Sequence, residues 1–520
     1  LLFNSPVYLF LFLPAAVLGY YAARRFAGLG AAVIVLLAAS LFFYGYWKPV
    51  YLLLLGGSIL VNFYLARPVA QAEKPARRWW LTAAIVFNLG LLGVFKYAGF
   101  FLDSVDMAAP GEFPSVEIVL PLAISFFTFQ QIAYQVDAYK GLVTPASLPR
   151  YALFVSFFPQ LIAGPIVHHK EMMPQFGAQT RRGETLTNFQ VGLFILIIGL
   201  AKKVILADGA AEYASPAFAQ AERGAQVEFF RAWIGALCYS GQIYFDFSGY
   251  SDMAVGAARL FGIRLPTNFF SPYKATSIAD FWRRWHITLS RFLRDYLYIP
   301  LGGNRRGQVR RYANLMTTML LGGLWHGAGW TFVFWGFLHG FYLVLNHFWD
   351  WLRRKAPVLA AGEGHFARKF AAWTVTMLAV IVAWVFFRAE SFGGAVTMLQ
   401  GMTGQNGAVL HPSVARMFDP SGLLSGLGVR VGGRGLPAAE FIPGLVYAVA
   451  MLLIAALTPN IYQITRANQP TIDYPQHARE TRAPLWRPTI VWGVFAGAVA
   501  MLAVAKVFSA APSEFLYFQF

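Results

Sequence analysis

Long apolar runs separated by short polar stretches dominate this chain. A membrane-crossing helix needs roughly 20 mostly apolar residues. Runs near that length without formal charge recur at 7–23, 29–47, 49–66, 79–95, 118–136, 188–201, 232–245, 330–349, 371–387, 441–459 and 488–505. They predict an all-α, polytopic membrane fold with about 11 transmembrane helices. A further run, 151–167, contains Pro159, Gly164 and Pro165, which break a helix. A re-entrant or broken helix is as well supported there as a twelfth span. No soluble domain interrupts the pattern, so residues 1–520 read as a single transmembrane domain. The interval 401–440 is glycine-rich and aperiodic and reads as a long loop or interfacial segment.

The polar stretches suggest an orientation. Arg24 and Arg25 follow the first run, and Arg67, Lys74, Arg77 and Arg78 follow the third. The loop after the fourth carries Asp103, Asp106, Glu112 and Glu117 and no base. Basic loops stay cytoplasmic, so the N-terminus and the acidic loop are expected outside. The first run reads as a retained span, because no basic segment precedes it and no cleavage-like site follows it.

Composition sharpens this picture. Of 520 residues, 57% are hydrophobic and only 13% charged, against about 25% charged in soluble domains. The formal net charge of +18 fits basic cytoplasmic loops. No nucleic-acid recognition motif accompanies it, so nucleic acid is not an expected partner; the lipid bilayer is. Cys238 is the one cysteine and lies in an apolar run. Intrachain disulfides and cysteine-based metal sites are thereby excluded.

Candidate chemistry concentrates in residues 240–350. Read as one helix, 280–297 places Phe281, Trp285, Leu289, Phe292 and Tyr296 on one face. It also sets Asp280 beside Arg284 and Arg291 beside Asp295. Such a helix would lie in the membrane interface, with His286 between its two faces. Next, Leu301-Gly302-Gly303-Asn304-Arg305-Arg306-Gly307, with Arg310 and Arg311, is a glycine turn inside a basic cluster. Arginines bind phosphates through paired contacts, so Asn304, Arg305 and Arg306 are candidates for a phosphate-bearing donor. An ordinary cytoplasmic loop accounts for the same residues.

His326 lies among Gly322, Gly323, Gly327 and Gly329, in a run without formal charge from Tyr312 to Trp349. An ionisable group at membrane depth is a functional candidate by default, and imidazole suits a general base for a hydroxyl. The glycines equally permit close helix packing or close approach of a ligand. His339 and His347 share the run, and the pattern alone does not choose among the three. The alternation Tyr244, Asp246, Ser248, Tyr250, Asp252 after an apolar run either lines a polar cavity or caps the next helix, capping being favoured for Asp252. His168 and His169 are adjacent and share no helix face, which argues against a metal site.

Three motifs in order carry a resemblance. They are Asp280-Phe281-Trp282-Arg283-Arg284-Trp285-His286, Asp295-Tyr296-Leu297-Tyr298-Ile299-Pro300-Leu301-Gly302-Gly303-Asn304, and Gly322-Gly323-Leu324-Trp325-His326-Gly327. Together they resemble the membrane-bound O-acyltransferase family. The opening Phe3-Asn4-Ser5-Pro6-Val7-Tyr8 and the block Tyr244-Phe245-Asp246-Phe247-Ser248-Gly249-Tyr250-Ser251-Asp252 resemble its bacterial alginate-acetylating subgroup. The resemblance implies helices around a central funnel or tunnel, with re-entrant and interfacial helices. It implies His326 as catalytic histidine and His286 as the second family histidine, with Trp325, Trp285, Asp246 and Tyr244 lining the tunnel. It further implies an inner-membrane O-acetyltransferase that takes acetyl from a cytoplasmic thioester, acetyl-CoA, with no tightly bound cofactor. Periplasmic partner proteins would place the group on an exported polysaccharide such as alginate. Peptidoglycan, cellulose or teichoic acid are alternative acceptors, and a non-catalytic channel or transporter is the alternative of another class.

Overall fold

A computed structural model describes all residues except 1, 110, 112–118, 145, 163, 179–181, 357–364, 420–422, 427, 474–482, 510–515 and 517–520. Glu112, Glu117 and the start of the expected span 118–136 lie outside the described residues. Almost all regular structure is helical. Among the described residues the one sheet is a parallel pair of two-residue strands, Val409–Leu410 and Arg430–Val431. It lies with the short helices Pro412–Phe418 and Leu423–Gly426 in the interval expected to be loop.

Seven helices among the described residues are long and apolar enough to cross a membrane: Gly28–Gly45, Tyr51–Gln71, Lys74–Met107, Gly183–Glu222, Phe366–Arg388, Ala438–Leu457 and Ile490–Ser509. Each coincides with an expected span. The expected count of about 11 is not reached by this measure, because the other four runs take other forms. Run 7–23 is a π turn, Tyr8–Phe12, leading into Leu13–Phe26. The described part of 118–136 is a 16-residue helix, Ile124–Tyr139, that is mostly buried. Runs 232–245 and 330–349 are parts of longer helices, Phe229–Leu260 and Trp330–Lys355, that carry formal charges.

The helix Phe229–Leu260 is the axis of the bundle: every residue from Cys238 to Leu260 is buried. The pattern predicted its end near Phe245, with Asp252 as a cap. Instead the helix runs on, and both aspartates are neutralised from the facing helix. Lys202 Nζ lies 2.6 Å from Asp252, and Lys203 Nζ lies 2.7 Å from both Asp246 and Asp208. A charge buried at this depth is tolerated when paired.

The two helices approach through glycines spaced seven apart. A Cβ on Gly192 would sit 2.8 Å from the Gly256 carbonyl oxygen, and one on Gly199 2.7 Å from that of Gly249. The reciprocal substitutions meet 2.6 and 2.8 Å. Side-chain-free positions are what allow two backbones in a membrane to pack this closely.

Run 151–167 is broken, as its prolines imply. Leu148–Ser156, buried from Leu153 on, and the buried turn Phe158–Leu161 are separate helices with a non-helical residue, Phe157, between them.

Candidate active site

The segment expected as one helix over 280–297 is instead broken at His286. Helix Ile278–Arg284 ends, Trp285 is extended, and helix Ile287–Leu293 begins, with a π turn Arg294–Tyr298 after it. His286 has φ 41° and ψ 53°, a left-handed conformation that a non-glycine residue keeps only when its surroundings impose it. The irregular chain at 263–270 does so. Asn268 C=O accepts from Ile287 N–H at 2.9 Å, and Phe270 N–H donates to Arg284 C=O at 2.9 Å.

The break divides the predicted apolar face. Phe281 and Trp285 enter the main core, while Leu289 and Phe292 join a smaller cluster with Ala133, Ile166, Leu293 and Trp325. Of the expected ion pairs, Asp280–Arg284 forms at 2.9 Å. Arg291–Asp295 does not. Arg291 grips Glu171 at 2.6 and 3.0 Å, and Asp295 pairs with Arg294 at 2.7 Å.

The same chain orients the His286 ring. Its Nδ1 lies 3.0 Å from Asn268 Oδ1. That oxygen also accepts from Thr288 Oγ1 at 2.9 Å, and Thr288 in turn accepts from Ile166 N–H at 3.0 Å. Asn268 Nδ2 donates to Ser251 Oγ at 3.2 Å. With Asn268 oriented in this way, His286 carries its proton on Nδ1. Its Nε2 is left as an acceptor, buried and without a hydrogen-bond partner among the described residues.

His326 is the last residue of helix Gly307–His326, and its side chain is buried. Its ring stands 6.3 Å from that of His286, centroid to centroid. It is enclosed by Trp325 at 4.9 Å, Trp335 at 5.0 Å and Phe387 at 5.4 Å. The surrounding glycines serve packing. A Cβ on Gly323 would lie 2.3 Å from the Phe332 carbonyl oxygen, and one on Gly336 2.3 Å from that of Met319. They let helices Gly307–His326 and Trp330–Lys355 meet directly behind the histidine.

The structure also separates the three histidines of that run. His339 is buried one turn beyond Trp335 and accepts a hydrogen bond from Trp282 Nε1 at 3.2 Å on its Nδ1. His347 is more peripheral, 6.2 Å from the Tyr312 ring.

The other expected site residues are distributed around this pair. Trp325 bridges the two histidines, with its ring 6.0 Å from His286. Trp285 is buried against Trp384 at 4.9 Å and Phe269 at 5.0 Å. Tyr244 lies 6.3 Å from Trp285 and also lines a cavity of about 680 Å³, with Lys202, Ser271, Asn460 and Trp492. Neither His286 nor His326 lines that cavity. Asp246 turns toward Lys203 and accepts from Leu516 N–H at 3.0 Å.

Asn304, Arg305 and Arg306 are exposed, on a turn tied down by Asn314 Nδ2 to the Gly303 carbonyl at 3.1 Å. They sit at the opposite end of the 20-residue helix from His326, roughly 28 Å away at 1.5 Å per residue. Beside the surface, Tyr296 Oη donates to Asp137 Oδ2 at 3.0 Å and lies 3.2 Å from His168 Nδ1. Burial lowers the His168 pKa to about 4. Among the described residues no group of His, Cys, Asp and Glu has metal-holding geometry.

Sequence reasoning missed Asn268, Thr288, Trp335, Phe387 and Lys96. Lys96 carried a readable signal, as a lone cation between apolar residues 79–95 and 97–102. The others sit in unremarkable apolar or polar contexts.

Fold and site together define a polytopic membrane protein that encloses two buried, facing histidines. Residues 80–387 match the model of MBOAT, the membrane-bound O-acyltransferase family. The chain belongs to that family and is an acyltransferase, which sets aside the channel reading. It is 46% identical over 438 residues to the peptidoglycan O-acetyltransferase of Helicobacter pylori, spanning 79% of this chain and 81% of that protein. A Pseudomonas putida protein named "probable alginate O-acetylase" is 42% identical, over 77% of this chain and 80% of its own length. The teichoic acid D-alanyltransferase of Streptococcus thermophilus is 29% identical, over 46% and 59%.

Proposed function

We propose that this acyltransferase resides in the bacterial inner membrane. In this reading it moves acetyl from a cytoplasmic thioester, acetyl-CoA, toward the hydroxyls of an exported polysaccharide such as alginate, with periplasmic proteins completing the transfer. The observation that carries the reading is the buried pair, His286 and His326, with ring centroids 6.3 Å apart.

In the transfer, His326 accepts the proton of the attacking hydroxyl as its oxygen bonds to the thioester carbonyl carbon. The carbon–sulfur bond then breaks, and the departing thiolate takes the proton and leaves as thiol. Alternatively the imidazole itself attacks and carries the acetyl group before passing it on. His286, with Nε2 as a second acceptor, faces His326 across the site and completes its wall. The buried indole N–H groups of Trp325 and Trp335 have no hydrogen-bond partner among the described residues. They are available to the carbonyl oxygen as it gains charge. Arg305, Arg306 and Asn304 would receive the donor's phosphates at the exposed end of the His326 helix. Tyr244 and Trp285 would wall the path, and Asp246 would stabilise it through Lys203.

The 46% identity to a peptidoglycan O-acetyltransferase favours a second acceptor, the glycan of peptidoglycan. Membrane vesicles given radiolabelled acetyl-CoA provide the test. Label should appear as alkali-labile ester on polysaccharide in vesicles with the native chain, and not with His326→Ala. Label on peptidoglycan alone would select the second acceptor. Transport of intact acetyl-CoA without ester would sink both.

A further inference from the structure

Two consecutive residues of a distant helix close the end of the helix that presents His326. An α-helix leaves its last four carbonyls without intrahelical donors. Here Tyr97 Oη donates to the Leu324 carbonyl at 3.0 Å. Lys96 Nζ donates to the Trp325 carbonyl at 2.6 Å and lies 3.5 Å from that of His326. Its ammonium also sits 5.9 Å from the Trp325 ring centroid. The chain beyond offers little closure of its own, because Gly327 is already extended and reaches Gly323 C=O at only 3.4 Å.

Both residues belong to the π turn Gly93–Tyr97 within the apolar stretch Lys74–Met107. A π turn inserts an extra residue and re-aims the side chains around it, and such turns cluster at functional sites. No carboxylate lies within 4.0 Å of Lys96 among the described residues. Among the described residues the cation's hydrogen-bond partners are the carbonyls at the negative end of a helix dipole, where positive charge is favoured. A lysine at membrane depth is otherwise costly. Its placement is explained by what it holds.

We propose that Lys96, seconded by Tyr97, is a positioning residue for acyl transfer. It pins the helix terminus so that the His326 ring stands opposite His286 between Trp325, Trp335 and Phe387. It touches no reacting atom, and the proposal rests on His326 serving the transfer.

The test uses the full chain in vesicles, with Lys96→Met, Lys96→Arg and Tyr97→Phe. The first readout is kcat and KM for acetyl transfer. The second is the rate at which diethyl pyrocarbonate modifies His326, followed by mass spectrometry, which does not depend on turnover. Lys96→Met should lower kcat about 30-fold with KM within about twofold, since a misplacement of about 1 Å can cost a hundredfold. Lys96→Arg should restore most of it, Tyr97→Phe should lose about threefold, and the modification rate should change in step. Native kcat and native modification in Lys96→Met would overturn the proposal. So would a rise in KM alone, which would make Lys96 a substrate contact. If Lys96→Met fails to fold, Tyr97→Phe decides by the same two readouts. If His326→Ala keeps transfer, the functional reading fails, while the modification rate still judges the positioning.

Discussion

His286 and His326 face each other, yet they are held by opposite means. His286 is tied by its ring: Asn268 fixes which nitrogen carries the proton, while its backbone sits in a strained left-handed turn. His326 is tied by its backbone: Lys96 and Tyr97 hold the helix end, while aromatic rings enclose the imidazole. One histidine is set up for a defined tautomer and the other for a defined place. The first should be sensitive to the chemistry of its hydrogen-bond partner, the second to anything that moves its helix.

The largest effect should come from the histidines themselves. His326→Ala is expected to cut acetyl transfer by about a thousandfold, within the range for a lost general base, with the thermal unfolding midpoint little changed. His286→Ala should cost less, about a hundredfold. Equal losses in the two single variants and the double would show that the pair acts as a unit and would blur the distinction.

Asn268→Ala comes next. It frees the His286 ring to take either tautomer and should lower kcat about 30-fold, in line with losses on removing a histidine's orienting partner. Thr288→Val should follow it in direction with a smaller loss. Steady-state kinetics that leave kcat unchanged in Asn268→Ala would remove the tautomer argument. Gly323→Ala then probes His326 alone. Its new methyl would press on the Phe332 carbonyl and should cost about 1–3 kcal/mol of stability, read as a lower unfolding midpoint, together with reduced kcat. Gly28→Ala, where no atom lies within 4 Å, is no neutral control because φ there is positive; Gly56→Ala, also in open space, is. The smallest effect is expected at the far end of the same helix. Arg305→Ala with Arg306→Ala should raise KM for the donor about threefold, as for exposed ion pairs, leave kcat alone, and lose its effect at high salt.

What the amino-acid pattern revealed follows what each helix touches. A helix that faces lipid must be mostly apolar, and the seven long apolar helices among the described residues were legible for that reason, the lysines within two of them aside. The helix at the centre is freed from that demand because other protein surrounds it. Asp246 and Asp252 looked like the end of a span, since their compensating lysines lie on another helix, Lys202 50 residues from Asp252. The break at His286 was illegible for a similar reason. Its backbone is set by Asn268 and Phe270, neither of which marks itself as a partner. Arg291 had a plausible partner four residues away and took one 120 residues away. Local spacing proposed Asp280–Arg284 correctly because, among the described residues, no other carboxylate lies within 4.0 Å of Arg284.

The bond between Lys96 and the Trp325 carbonyl joins residues 229 apart in sequence. At about 5–20 residues per second, the ribosome makes the lysine roughly 10–50 s before the carbonyl it will hold. During that interval Lys96 must enter the bilayer region without the partner it will hold, at a cost below the about 2.5–3.5 kcal/mol of a lysine at the centre of a span. The long apolar stretch around it supplies the insertion energy, and the late arrival of residues 324–326 would settle its position. Assembly of the site is therefore a late event in biogenesis. Chains truncated before residue 326 should leave the segment around Lys96 loosely inserted, which accessibility of a cysteine placed at that position to aqueous reagents would reveal.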